Sequence, residues 1–178
     1  MKSRTSIAAV VTGLLVAAFA VATVQPAQAA VGYFRLVNFG SGKCAEPNRF
    51  GVPRGNGEPI QQWTCDGSDR QAWHPTKHEI GTSNYLFINR NSSKCLDVRD
   101  GRNRDGTPVQ QWDCRGGSSM IWTLNPDSFT GVHQLKSHIG DRCLDVAAGS
   151  LEDGAQIQIV HCTGFGNPAQ VWYFEPVP

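Results

Sequence analysis

The run Lys94-Cys95-Leu96-Asp97-Val98, followed by Gly106-Thr107-Pro108-Val109-Gln110-Gln111-Trp112-Asp113-Cys114 and then Trp122, decides the fold, because it occurs three times. The later copy reads Arg142-Cys143-Leu144-Asp145-Val146, then Gly154-Ala155-Gln156-Ile157-Gln158-Ile159-Val160-His161-Cys162, then Trp172. The earlier copy reads Lys43-Cys44-Ala45-Glu46-Pro47, then Gly57-Glu58-Pro59-Ile60-Gln61-Gln62-Trp63-Thr64-Cys65, then Trp73. Leading cysteines step by 51 and 48 residues, trailing cysteines by 49 and 48, and closing tryptophans by 49 and 50. Three markers sharing one period mean three structural units, about 34–75, 84–125 and 132–174.

The repeat also selects a cysteine pairing. Six cysteines allow fifteen full pairings, and equivalent units should close equivalently. This predicts Cys44–Cys65, Cys95–Cys114 and Cys143–Cys162. Each bridge closes a loop of about 20 residues and contributes roughly 3 kcal/mol by restricting the unfolded chain. A metal site is the rival use of repeated cysteines, but the chain has no close Cys-x-x-Cys or Cys/His cluster.

Alternation then assigns faces. Leu96 and Val98 flank Asp97, and Leu144 and Val146 flank Asp145; a half-buried strand sends neighbours to opposite sides. With the aliphatic pairs inward, both aspartates point outward. By the same parity Val109 faces in while Gln110 and Trp112 face out, and Ile60, Gln61 and Trp63 repeat that order. Two outward indoles at equivalent places suggest that something flat and apolar stacks there. The closing Trp73, Trp122 and Trp172 fit a shared core layer instead.

These elements (Cys-x-Asp, then Gly-x-x-x-Gln-x-Trp-x-Cys) resemble the ricin B-type lectin domain, the Gln-x-Trp β-trefoil, over about residues 34–174. The resemblance implies an all-β fold of twelve strands in three four-stranded repeats around a pseudo-threefold axis. It further implies up to three shallow sites for a galactose-like sugar or a polysaccharide. In that family the acid accepts hydroxyl hydrogen bonds, and the aromatic two residues before the second cysteine covers the sugar's C–H face. The Gln before that aromatic assists, and an Asn-Gln pair ahead of the closing Trp supplies a sugar contact and a brace for the acid.

Carried over, this makes Asp97, Gln110 and Trp112 the candidate site of the second unit, with Ser119 and Met120 in place of Asn and Gln. The first unit offers Glu46, Gln61, Trp63 and Gln71, with Glu for Asp and Arg70 for Asn. The third offers Asp145, Gln158 and Gln170, but has Val160 where the ring belongs and Ala169 for Asn. By completeness the second unit ranks first, the first unit next and the third last.

The N-terminus sets the expected compartment. Lys2 and Arg4 precede an uncharged apolar stretch from Ile7 to Val24. Gln25 and Pro26 break it, and Ala27-Gln28-Ala29 has the small-x-small cleavage pattern, so residues 1–29 read as a secretory signal. A membrane anchor is the rival reading of that stretch; the cleavage pattern and the lack of a basic patch after it favour the signal. Residues 30–178 then form one secreted domain of ordinary size, expected to be monomeric. Removing Lys2 and Arg4 turns the formal +1 of the full chain into −1. That balance argues against nucleic acid and anionic membrane as partners.

Catalysis finds no support. No Gly-x-Ser-x-Gly, His-Glu-x-x-His or phosphate-cradling motif occurs. The stretch 101–112 fails as a calcium loop because Gly101 and Trp112 stand where Asp and Glu are needed. A glycosidase needs two carboxyl groups about 5–10 Å apart, whereas Glu46, Asp97 and Asp145 belong to different units. No cofactor or metal is expected. Two functions stay open: a sugar-binding module, and a protein-binding or inhibitory trefoil that has lost its sugar.

Overall fold

A computed structural model describes residues 32–128 and 130–178; the signal expected over residues 1–29 lies outside the described residues. The first unit comprises β1 (Phe34–Asn38), β2 (Cys44–Pro47), β3 (Ile60–Trp63) and β4 (Trp73–Lys77). The second comprises β5 (Asn84–Asn89), β6 (Cys95–Val98), β7 (Thr107–Trp112) and β8 (Trp122–Pro126). The third comprises β9 (His133–Ser137), β10 (Arg142–Val146), β11 (Ile157–His161) and β12 (Trp172–Pro176). A short 3₁₀ turn precedes the last strand of every unit.

Outer strands make a barrel and inner strands make its lid. The pairings β1–β4, β4–β5, β5–β8, β8–β9, β9–β12 and β12–β1, all antiparallel, return to their starting point. A closed ring has no free edge for another chain to pair with. The hairpins β2–β3, β6–β7 and β10–β11 cover one end. Six barrel strands, three hairpins and threefold repetition define a β-trefoil.

The core follows the repeat. Leu36, Phe87 and Leu135 form one triad, Ala45, Leu96 and Leu144 a second, and Ile60, Val109 and Ile157 a third, all fully buried. Trp73, Trp122 and Trp172 form a fourth, as expected from their position. Each indole Nε1–H donates to a strand carbonyl of its own unit: Ala45 at 2.9 Å, Leu96 at 3.0 Å and Leu144 at 3.0 Å. A buried indole needs such a partner, and here the partner sits one residue from the site acid.

Neighbouring units are stitched by one glycine each. Gly57, Gly106 and Gly154 donate their N–H to the carbonyls of Gln111, Ile159 and Gln62 in the next unit, at 3.0, 3.0 and 2.9 Å. Their φ values of 84°, 80° and 83° lie in the left-handed region, where a side chain is strained. Ahead of each glycine, Asn56, Asp105 or Asp153 accepts a backbone N–H of the following unit, from Asp113, His161 and Thr64.

Cys44–Cys65, Cys95–Cys114 and Cys143–Cys162 are disulfides, with Cα separations of 5.2, 5.1 and 5.0 Å. The first spans 21 residues and the others 19, so the first unit carries a longer loop between its cysteines.

Candidate functional site

Hairpin register brings each acid opposite its amide: Glu46 faces Gln61, Asp97 faces Gln110, and Asp145 faces Gln158. The amide N–H donates to the carboxylate at 3.3, 2.8 and 3.1 Å respectively. These glutamines therefore brace the acid directly, as Gln71, two residues before the closing Trp73, also does in the first unit. Outward does not mean exposed, however. Asp97 and Gln110 retain only 5% and 4% of their accessible surface, and Glu46 retains 0%. The residues lie on the expected face, recessed below the turns around them.

In the second unit Asp97, Gln110 and Trp112 border one open cleft of about 270 Å³. Asp100, Gly101, Ser119 and Arg115 also line it. Gly57 of the preceding unit backs the indole; a Cβ there would lie 3.6 Å from Trp112 Cζ3. Arg99 Nε donates to Gln110 Oε1 at 3.2 Å, leaving that amide's N–H group turned to Asp97. Burial raises the Asp97 pKa above its ordinary 3.8, opposed by the Ser119 hydroxyl and the Gln110 amide and reinforced by nearby Asp100.

Met120 occupies the brace position but cannot donate. In the first unit Gln71 gives an N–H to Glu46 at 2.8 Å and accepts from the Asp66 backbone at 2.8 Å. Met120 Sδ receives only the second of these contacts, from Arg115 N at 3.5 Å. The thioether keeps the turn and loses the donor. Asp97 thus has one amide donor where Glu46 has two.

The first unit contains the same hairpin with its cleft filled. Arg49 Nε and Nη2 bind the two Glu46 oxygens at 2.6 and 2.9 Å, and Nη2 also reaches Asp66 at 2.5 Å. Its guanidinium lies over the Trp63 ring, 4.9 Å from the centroid. Phe50 meets the same indole edge-on, with centroids 5.9 Å apart. The stacking face and the acceptor are therefore both spent on one side chain of the protein itself. A bidentate guanidinium–carboxylate pair is among the stronger polar contacts.

The third unit is open but lacks a ring. Asp145, Gln158, Val160 and Asn167 border a cleft of about 420 Å³. Burial raises the Asp145 pKa, against hydrogen bonds from Gln158 and Gln170. Gln170 also donates to the His161 carbonyl at 3.0 Å and accepts from Thr163 N at 3.0 Å. The brace is present; the stacking surface is an isopropyl group.

Arg49 and Asn167 were not singled out from the sequence, and both lie where units differ in length. Asn167 caps the 3₁₀ turn by accepting from Ala169 N at 3.2 Å and donates to Thr163 at 3.1 Å. It enters the third cleft from beside the position where Ala169 was aligned. The signals were the spacings: Cys44 to Cys65 is two residues longer than its equivalents, and so is Cys162 to Trp172.

Comparison with known proteins agrees with this geometry. The family model of the ricin-type beta-trefoil lectin domain matches residues 83–177, and that of the ricin-type beta-trefoil lectin domain-like family matches residues 19–112. Each covers more than half of the chain, which therefore belongs to the ricin-type β-trefoil lectin domain family. Among solved structures, it resembles the designed threefold-symmetric protein ThreeFoil, with TM-score 0.73 and 29% identity over 80% of this chain and 97% of that one. It resembles an exo-β-1,3-galactanase from Clostridium thermocellum, with TM-score 0.74 and 29% identity over 82% of this chain but only 30% of the enzyme. A Macrolepiota procera ricin B-like lectin, solved with lactose, matches in fold with TM-score 0.67 at 14% identity, over 85% of this chain and 99% of that one. No curated protein sequence matches the chain.

Proposed function

We propose that the protein is a secreted, non-catalytic carbohydrate-binding module whose principal site is the cleft of the second unit. One observation carries this reading: Asp97, Gln110 and Trp112 line a single recess whose acid has no ion-pair partner among the described residues, while the matching acid of the first unit is neutralised by Arg49. A carboxylate braced by one amide keeps lone pairs for sugar hydroxyls, and the half-buried indole offers a flat apolar face. The lactose-bound relative and the galactanase favour a galactose-type sugar. The three disulfides suit an oxidising, extracellular compartment.

A shallow one-sugar recess binds weakly, with Kd on the order of millimolar. Useful binding then comes from a polymer that engages the second and third units together, where effective concentration multiplies the affinity. Calorimetry with lactose and with β-1,3-galactan tests this. The polymer should bind more tightly per site, and Trp112→Ala or Asp97→Ala should abolish binding with the thermal midpoint nearly unchanged. Wild-type affinity in Trp112→Ala would refute the site.

A second reading has its own observation. Phe50 and Val52 are 83% and 63% exposed on the long loop beside the filled first cleft, which suits contact with a protein. Binding of a protein partner lost on Phe50→Ser but kept in Trp112→Ala would favour it.

A further inference from the structure

The turn that shapes the sugar cleft has a second side. Residues 99–101 form a 3₁₀ turn after β6; Asp100 and Gly101 line the Trp112 cleft, while Arg99 and Arg102 line another cleft of about 300 Å³. Arg104, Asp105 and Thr107 complete that second cleft. Three arginines thus line one cleft beside the proposed sugar recess.

Their partners leave positive charge over. Among the described residues Arg99 is held by neutral acceptors only, Gln110 Oε1 at 3.2 Å and the Gly57 carbonyl at 3.3 Å. Arg102 pairs with Asp100 at 3.1 Å, but both side chains are more than half exposed, so the pair is weak. Among the described residues the Arg104 guanidinium has no partner. Asp105, the one acid of the cleft, is turned to Arg142 Nε at 2.7 Å and to His161 N at 2.9 Å, so another arginine neutralises it.

The third unit is an internal control for whether the fold needs these arginines. Its turn has the same conformation: Ala148 has φ 54° and ψ 18° where Asp100 has 56° and 15°, and Gly149 matches Gly101 at 60°. With both disulfide loops spanning 19 residues, Arg99, Arg102 and Arg104 correspond to Ala147, Ser150 and Glu152. The same backbone therefore forms with no cation at any of the three places. Folding does not require them.

We propose that this arginine cleft is an anion subsite, which takes the carboxylate or sulfate group of an acidic polysaccharide while an adjoining sugar of the same chain stacks on Trp112. A guanidinium presents paired N–H groups that match either oxyanion, which an ammonium cannot do. The proposal rests on the sugar reading of the Asp97 cleft and narrows its ligand class from polysaccharide to acidic polysaccharide. It also gives the turn 99–102 one function on each side.

The test compares polygalacturonate with its methyl ester, and a sulfated galactan with its desulfated form, on the full mature chain. The variant Arg102→Ser/Arg104→Glu carries the third unit's own residues, so it should fold as the wild type does. Wild type should bind one acidic polymer about tenfold more tightly than its neutral form at low salt, where exposed charges are least screened. The advantage should vanish in the double variant and in about 0.5 M NaCl, where exposed charges are screened. The acid that shows the advantage identifies the anion. Binding of the neutral forms should be unchanged by the double variant and lost in Trp112→Ala.

An acid preference that persists in the double variant, or no preference for either acid, would overturn the proposal and leave the sugar reading standing. Neutral polymers still bound by Trp112→Ala would defeat the sugar reading, and the proposal with it. Mixed-sequence RNA bound through Arg102 and Arg104 as tightly as the acidic glycan would show a general anion surface, which also overturns it.

Discussion

The first and second units share a hairpin, an acid–amide pair, a half-buried Trp on β3 or β7, and a neighbour's glycine packed behind that Trp. Gly154 stands 3.8 Å from Trp63 as Gly57 stands 3.6 Å from Trp112, measured from an added Cβ. Besides Glu46 for Asp97 and Gln71 for Met120, what separates them is two extra loop residues and one arginine laid over the site. In the first unit the longer loop lays Arg49 across the indole and onto Glu46; in the second the chain turns tightly through Asp100 and Gly101 and leaves the recess open. A binding site in a repeat protein can therefore be switched off while its acid, amide and indole remain. Presence of the motif and availability of the site are separate properties.

The largest expected effect concerns the scaffold that both units share. Trp122→Ala removes a fully buried indole and its bond to Leu96, so stability should fall by about 3–5 kcal/mol. Denaturant unfolding of this variant beside Trp112→Ala separates the two kinds of tryptophan. Equal losses would mean that the site tryptophan is core as well, and the comparison between units would lose its basis.

Next in size is Arg49→Ala, which acts on the difference itself. It strips a fully buried carboxylate of its guanidinium while Gln61 and Gln71 remain, so a loss of about 1–3 kcal/mol is expected, as for hydrogen bonds to charged groups. The same change uncovers Trp63 beside Glu46. Titration with oligosaccharide should then show one more site per molecule than the wild type. Unchanged stoichiometry together with unchanged stability would mean that Arg49 closes nothing.

The smallest effect is on pH. Burial gives Asp97 a higher pKa folded than its ordinary 3.8. Its ionised form therefore costs stability in the folded protein, and that cost is relieved as pH falls through the raised pKa. Asp97 should not contribute to acid unfolding. Sugar binding needs the ionised acceptor, so affinity should weaken at a pH above 3.8 while the fold stays intact. A binding midpoint at or below 3.8 would place Asp97 in a more solvated setting than the cleft provides.

Most of the architecture was legible because its causes are local and repeated. Leu96 and Leu144, with Trp122 and Trp172, mark the core by parity and period alone. Asp97 was legible as outward-facing, but its depth was not, since depth depends on how high the turns at 99–102 and 115–119 stand around it. Arg49 was beyond reach of the repeat because alignment compares equivalent positions, and it lies in a stretch with no equivalent. Gln110 was legible as an assisting residue but its partner was not: which donor meets Asp97 is set by cross-strand register, and the linear pattern lists residues without pairing them.

The seam between β1 and β12 matters beyond geometry. Phe34 pairs with Pro176 and Asn38 with Trp172, so β12 completes the ring begun by β1. The disulfides are the opposite kind of link, each spanning 21 residues or fewer. Oxidation of each repeat can thus precede closure of the whole, since pairing strands more than a hundred residues apart is expected to be slower than closing a local loop. A circularly permuted chain, joined across that seam and opened between two units, moves the seam without removing any contact within a unit. Its cysteines should pair as before, and only the timing of assembly should change.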